Sequence, residues 1–213
     1  MNRDVSSIPS ISTARFVTPL LTKRKQYLLR WLLDRYAESV DLCIQECLKH
    51  GLTSIASLHR AAYKEWKSRY DMATHWFHSA GHMAIQTLRP WRELCRQGDA
   101  DLQKPPTYKA RTMRLELWTE GNAGGICRFH GNAVQIRVRR GEHVWLPLIV
   151  TEHHELTYLR DWHEGRSKVE EPTISLLGGR ANVYVPFKHE VKAKPIEGTC
   201  GIDINERSVD CTS

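Results

Sequence analysis

No stretch of this 213-residue sequence approaches the roughly 18 consecutive apolar residues that a membrane-spanning helix needs, so an integral membrane protein is not expected. The opening residues carry Asp4 and a Ser-rich polar run through Ser12 where a secretory signal would place an apolar core, which argues against export. The cysteines (Cys43, Cys47, Cys95, Cys127, Cys200 and Cys211) include no CxxC pair and no tight framework. A disulfide scaffold is therefore not expected, and reduced thiols in the cytoplasm are. There is no internal repeat and no low-complexity tract. With 41% hydrophobic and 26% charged residues, the composition is that of an ordinary folded protein rather than a disordered one. What the chain has in excess is positive charge. Lys and Arg number 31 against 24 Asp and Glu, a formal net charge of +7, with a pI near 9.2. Such a surplus points to a polyanionic partner, most often nucleic acid, although composition alone leaves a merely basic protein open.

The pattern of apolar residues divides the chain. Residues 13–19 read as a short extended segment stopped by Pro19. Leu28, Leu29, Leu32, Leu33, Tyr36, Val40, Cys43, Ile44 and Cys47 then recur at helical spacing, and Gly51 stands where a C-terminal helix glycine belongs. Thr53 or Ser54 caps a second helix through Leu58, Ala62, Trp66 and Tyr70. A third runs from about Ala73 to Leu94, ended or kinked by Pro90. After Lys104-Pro105-Pro106, whose prolines cannot continue a helix, the period becomes two. Met113, Leu115 and Leu117 alternate with polar neighbours, as do Val134, Ile136 and Val138, and His143–Val150 is a further apolar run. The segments 173–177 and 181–191 flank Gly178-Gly179, a hairpin-turn dipeptide. The expected fold is α+β: an antiparallel β-barrel of wedge or OB-like type, interrupted by a helical insertion. An early strand can join a later sheet only if the helices between them fold as a self-contained excursion.

The C-terminal stretch Gly201-Ile202-Asp203-Ile204-Asn205 puts a carboxylate into an apolar strand, followed by Glu206-Arg207 and a second apolar segment around Val209. This reads as a hairpin whose Asp needs a cation or hydrogen-bond donors to offset its desolvation. Ribonuclease-H-like nucleases use such an Asp as a hard oxygen ligand for Mg²⁺. The order of parts (helical segment, Lys104-Pro105-Pro106-Thr107-Tyr108-Lys109, Met113-Arg114-Leu115, a basic β region, the Gly178-Gly179 hairpin, then Gly201-Ile202-Asp203) resembles the N-terminal half of the TnpB (OrfB) family. Members of that family are RNA-guided DNA endonucleases encoded by insertion sequences.

The resemblance implies four segments. Residues 1–21 begin the wedge domain, 22–103 form the helical recognition insertion, 104–198 complete the wedge, and 199–213 open a RuvC-like nuclease domain with its first hairpin. It implies that Asp203 is the first metal-binding carboxylate of a Mg²⁺-dependent site. The family completes that site with two later acidic residues and usually a zinc ribbon, neither of which occurs among these 213 residues. The chain alone is accordingly expected not to cut DNA. Guide RNA and double-stranded target DNA are the implied partners, in a cytoplasmic, nucleoid-associated setting. The alternative is a non-catalytic nucleic-acid-binding accessory or regulator of transposition.

The candidate phosphate contacts are basic residues. Arg137 and Arg139 share one face of a strand and Arg140 extends the charge, while Lys109, Arg111 and Arg114 stand at the entry to the same region. Trp118 and Trp145 offer surfaces for stacking bases. Lys23 and Lys25 open the first helix, and Lys64 and Lys67 lie on the second. A solvated face is the competing reading for any one of them. His75, His78 and His82 fall on roughly one helical face, but no nearby carboxylate or cysteine completes a metal set, so scattered helix histidines are expected. Cys43 and Cys47 read as small core residues, and His153, His154 and His163 as parts of a polar connection.

Overall fold

The computed structural model describes residues 7–109, 111–118, 125–192, 201–205 and 208–212. Three helices come first after an opening strand. α1 (Lys23–Lys49) is capped by Thr22, whose hydroxyl accepts from the Lys25 amide, and buries Leu29, Leu32, Tyr36, Val40, Cys43 and Cys47 along one stripe. It stops because Gly51 takes φ +63°, letting the Leu52 amide turn back to the Cys47 carbonyl at 2.9 Å. α2 (Ile55–Arg69) starts at Ser54, whose side chain accepts from the Ser57 amide. α3 (His75–Gln97) runs through Pro90 to Gln97, three residues beyond the expected Leu94, and is capped by Gly98. Gly81 of α3 faces α2 so closely that a Cβ there would stand 3.0 Å from Leu58 Cδ2.

The β-strands build separate antiparallel sheets. β1 (Ser7–Val17) pairs along its whole length with β8 (Arg180–Lys192), Ser7 opposite Lys192 and Val17 opposite Asn182. The other edge of β8 carries two partners in succession: β7 (Thr173–Leu177) near its start and β6 (Ser167–Val169) further on. β2 (Thr112–Arg114) then adds to β7, giving the order β1-β8-β7-β2. A second sheet has the order β3-β4-β5, made of β3 (Cys127–His130), β4 (Ala133–Arg139) and β5 (Glu142–Pro147). Single bridges, Val17 with Ile149 and Leu117 with Cys127, link the two sheets, and among the described residues no continuous ladder closes into a barrel. β9 (Gly201–Asn205) and β10 (Ser208–Thr212) form a two-stranded sheet of their own. The fold is thus α+β with antiparallel sheets. No helix among the described residues is long and apolar enough to cross a membrane.

The β7–β8 hairpin has the turn its sequence demands: Gly178 and Gly179 both take positive φ, 58° and 76°. Where a polar connection was expected around His153, His154 and His163, the chain winds into α4 (Glu152–His154), a π-helical turn (Glu155–Leu159) and α5 (Arg160–His163). Local capping explains it. The Thr151 hydroxyl accepts from the His154 amide, and the His154 ring in turn reaches the Thr151 amide. Leu159, Tyr158 and Trp162 pack from this segment onto the core.

One apolar core runs from the helices into both sheets. The Trp76 indole N–H donates to the Arg137 carbonyl at 2.9 Å, and the Ala73 amide to the Val138 carbonyl at 3.1 Å. The register of β4 against β5 shifts between Arg137 and Arg139, and this irregularity leaves the Val138 carbonyl for the helical unit to use. The Ser79 hydroxyl donates to the Arg114 carbonyl at 2.7 Å, and Asp41 accepts from the Tyr108 amide at 2.6 Å.

Thr18 locks the end of β1 to β8. It is fully buried, its hydroxyl accepts from the Ala181 amide at 2.9 Å, and its own amide donates to the Ala181 carbonyl at 3.0 Å. Thr18→Val keeps the shape but orphans that buried N–H, so a loss of about 1–3 kcal/mol in urea denaturation is expected. Thr18→Ser, which keeps the hydroxyl, should lose less.

Candidate nucleic-acid interface

Alternation along β4 sorts its side chains. Val134, Ile136 and Val138 are fully buried, and Gln135 and Arg137 therefore stand on the opposite face of the sheet. Register supplies their neighbours: Gln135 lies between Arg128 of β3 and Trp145 of β5, and Arg137 lies opposite His143. The Arg128 guanidinium sits 4.1 Å from the centre of the Trp118 ring, and the His130 and Trp145 rings are 5.0 Å apart. Trp145 is 43% exposed, unusual for a residue with so much apolar area, and its backbone carbonyl accepts from Lys25 Nζ.

Three open clefts meet on this face. One of about 180 Å³ is lined by Trp118, Arg128, Gln135, Arg137 and His143. A second, of about 430 Å³, includes Arg24, Lys25, His143 and Trp145. A third, of about 680 Å³, includes Lys67, Thr74, Arg137, Arg140 and His143. His143 borders all three, so they form one continuous surface. Their two carboxylates, Asp71 and Glu142, are both neutralised by Arg139, at 2.7 Å and 2.8 Å. Arg128, Arg137 and Arg140 make no ion pair among the described residues. The result is a cationic face with flat aromatic rings set into it, the combination that holds phosphates and stacks bases.

The residues singled out from sequence distribute unevenly. Lys25, Lys67, Arg137 and Arg140 converge on this face. Arg139 borders it but is engaged internally, its guanidinium also lying 5.0 Å from the Trp31 ring. Arg114 is an internal tie as well, ion-paired with Glu171 and only 20% exposed. Burial raises the Glu171 carboxyl above its usual range, and Arg114 works against that shift. Lys109 and Arg111 line a separate cleft of about 440 Å³ with Arg30, beside the Gly178-Gly179 turn. Lys23 and Lys64 are exposed on α1 and α2. Asp203 lies on β9 with Asp210 opposite it in register, and its side chain lies outside the described residues.

Arg128, Gln135 and His143 were not picked out from sequence: Arg128 because β3 was not, and Gln135 and His143 because only register against their neighbours sets them beside the arginines. The signal for β3 was there: Gly131-Asn132 joins Cys127–His130 to Ala133–Arg139, with Gly131 at φ +51°. The histidines of α3 need a correction too. Glu116, 41 residues beyond His75, brings its carboxylate within 3.2 Å of His75 Nδ1, supplying the acidic group that the local sequence lacks.

Residues 32–119 match the family described as "Uncharacterized protein MJ0013 family", a span that takes in α2, α3 and β2 and most of α1. The chain is also 38% identical over 55 residues to the "Uncharacterized protein MJ0752" of Methanocaldococcus jannaschii, covering 72% of that protein and 25% of this chain. This chain belongs to the family of that archaeal protein. Neither description assigns a biochemical activity, so the functional reading of the cationic face rests on its geometry.

Proposed function

We propose that this chain is the N-terminal part of a TnpB-like, transposon-encoded RNA-guided DNA endonuclease, and that its own task is to hold guide RNA and target DNA in the cytoplasm, at the nucleoid. The observation that carries the reading is the pairing of β1 with β8 over eleven residues across the whole helical unit. A β domain split by a helical excursion is the arrangement that the wedge and recognition domains of that family have. The single bridges Val17–Ile149 and Leu117–Cys127 favour a barrel-like circuit, running β1-β8-β7-β2-β3-β4-β5 and back to β1. The hairpin β9–β10, with Asp203 in Gly201-Ile202-Asp203, fits the opening of a RuvC-like domain.

Only one carboxylate matches that family's Mg²⁺ site. A single Asp does not make a two-metal centre, which needs several oxygen ligands around each ion. The part proposed for these residues is binding, with sequence choice delegated to guide-strand pairing.

The test is fluorescence anisotropy with a structured RNA hairpin, a DNA duplex and polyglutamate across a salt series. Binding to RNA without Mg²⁺, weakening linearly in log–log form with salt, no affinity for polyglutamate and no cleavage after Mg²⁺ addition are expected. Failure to bind RNA at low salt would sink the reading, and cleavage by the chain alone would contradict the role given to Asp203.

A further inference from the structure

The first turn of α3 and the segment after β2 bring three metal-binding side chains together. His75 and His78 are one turn apart on α3, and Glu116 follows β2 by two residues; one ligand atom of each lies within 4.8 Å of the others. All three are partly buried. Their backbones are fixed. The Glu116 carbonyl accepts from the Ile126 and Cys127 amides at 2.9 and 3.0 Å, and Trp76, between the two histidines' turns, anchors α3 to β4. An ion pair between His75 and Glu116 accounts for two of the groups. It does not account for His78, whose side chain makes no hydrogen bond among the described residues and lies ring-to-ring 5.5 Å from both His75 and His59.

We propose that His75, His78 and Glu116 bind a divalent transition ion of the zinc class. Two imidazole nitrogens and one carboxylate oxygen are a donor set that Zn²⁺ accepts, with a position left for water or a fourth ligand. Mg²⁺ and Ca²⁺, which prefer all-oxygen surroundings, fit it poorly. The ion ties the helical unit to the segment that follows β2, close to the cationic face. This site is independent of Asp203 and of the nucleic-acid reading.

The experiment uses the untagged full chain stripped with chelator, titrated calorimetrically with Zn²⁺ and, by visible absorption, with Co²⁺. One ion per chain, a Co²⁺ spectrum of nitrogen and oxygen ligation, and a raised melting temperature are expected. His78→Ala and Glu116→Gln should each weaken binding by more than the roughly 10–100-fold that loss of an outer-shell partner costs. His163→Ala, outside the cluster, should bind as the parent does. His78→Gln replaces the alanine variant if circular dichroism finds that one unfolded. Absence of binding, a thiolate-to-cobalt charge-transfer band, or parent affinity in folded Glu116→Gln would each overturn the proposal.

Discussion

A variant with Arg128 and Arg137 both changed to glutamate is expected to bind a structured RNA at least roughly 100-fold more weakly than the parent, since each charge-assisted contact contributes about 1.5–3 kcal/mol. These two guanidiniums are chosen because they lie on one face of the β3-β4-β5 sheet, border the same cleft, and have no carboxylate partner among the described residues. The slope of log affinity against log salt should fall by about one for each phosphate contact removed. Stability should change little by comparison: the lost Arg128–Trp118 contact is worth about 0.5–1 kcal/mol at an exposed site. Trp145→Ala provides the complementary measurement. It should weaken binding to single-stranded RNA by about 1–3 kcal/mol for a lost stacking partner, while leaving the salt slope as it was. Arg114→Gln should instead act on stability, because its partner Glu171 is half-buried. Equal binding losses in Arg114→Gln and in the double variant would mean that affinity follows net charge, not this face.

The sequence disclosed what repeats at short range and concealed what is assembled at long range. The three helices were legible because Leu29, Leu32, Tyr36, Val40 and their successors keep one stripe, and because Ser54 and Gly51 are capping residues in capping places. Gly178-Gly179 announced the β7–β8 hairpin for an equally local reason. β3 and β6 escaped notice. Each is four residues or fewer, too short for alternation to register, and is held by partners elsewhere in the chain. The cationic face was half visible: Arg137 and Arg140 lie in one run, whereas Arg128, Lys25 and Trp145 reach it only through register and helix docking. Distant ion pairs were not legible either. Nothing near Arg139 in sequence announces Asp71, and nothing near Arg114 announces Glu171. The histidine cluster was read as incomplete for the same reason, its carboxylate arriving from beyond α3.

Trp76→Ala is expected to be the most destabilising single substitution considered, at about 3–5 kcal/mol, the range for truncating a large core aromatic. Trp76 is fully buried, contacts Tyr36 edge-on with centroids 5.7 Å apart, and gives its indole N–H to the Arg137 carbonyl at the irregular point of β4. The substitution therefore opens a cavity between the helical unit and the β region and removes one of the few hydrogen bonds that join them. Trp76→Phe separates the two effects. It keeps most of the volume and leaves the Arg137 carbonyl without its donor, so about 1–2 kcal/mol is expected. Against a typical total of about 5–15 kcal/mol, the alanine variant should shift the urea midpoint strongly. If the helices and the β region unfold together, as their shared core implies, fluorescence and circular dichroism will report one coincident transition in both variants. Two separated transitions in Trp76→Ala would mean that the helical insertion keeps its own fold after its anchor to β4 is cut. The cationic face would then lose the edge that Lys67 supplies, because that residue is carried on α2.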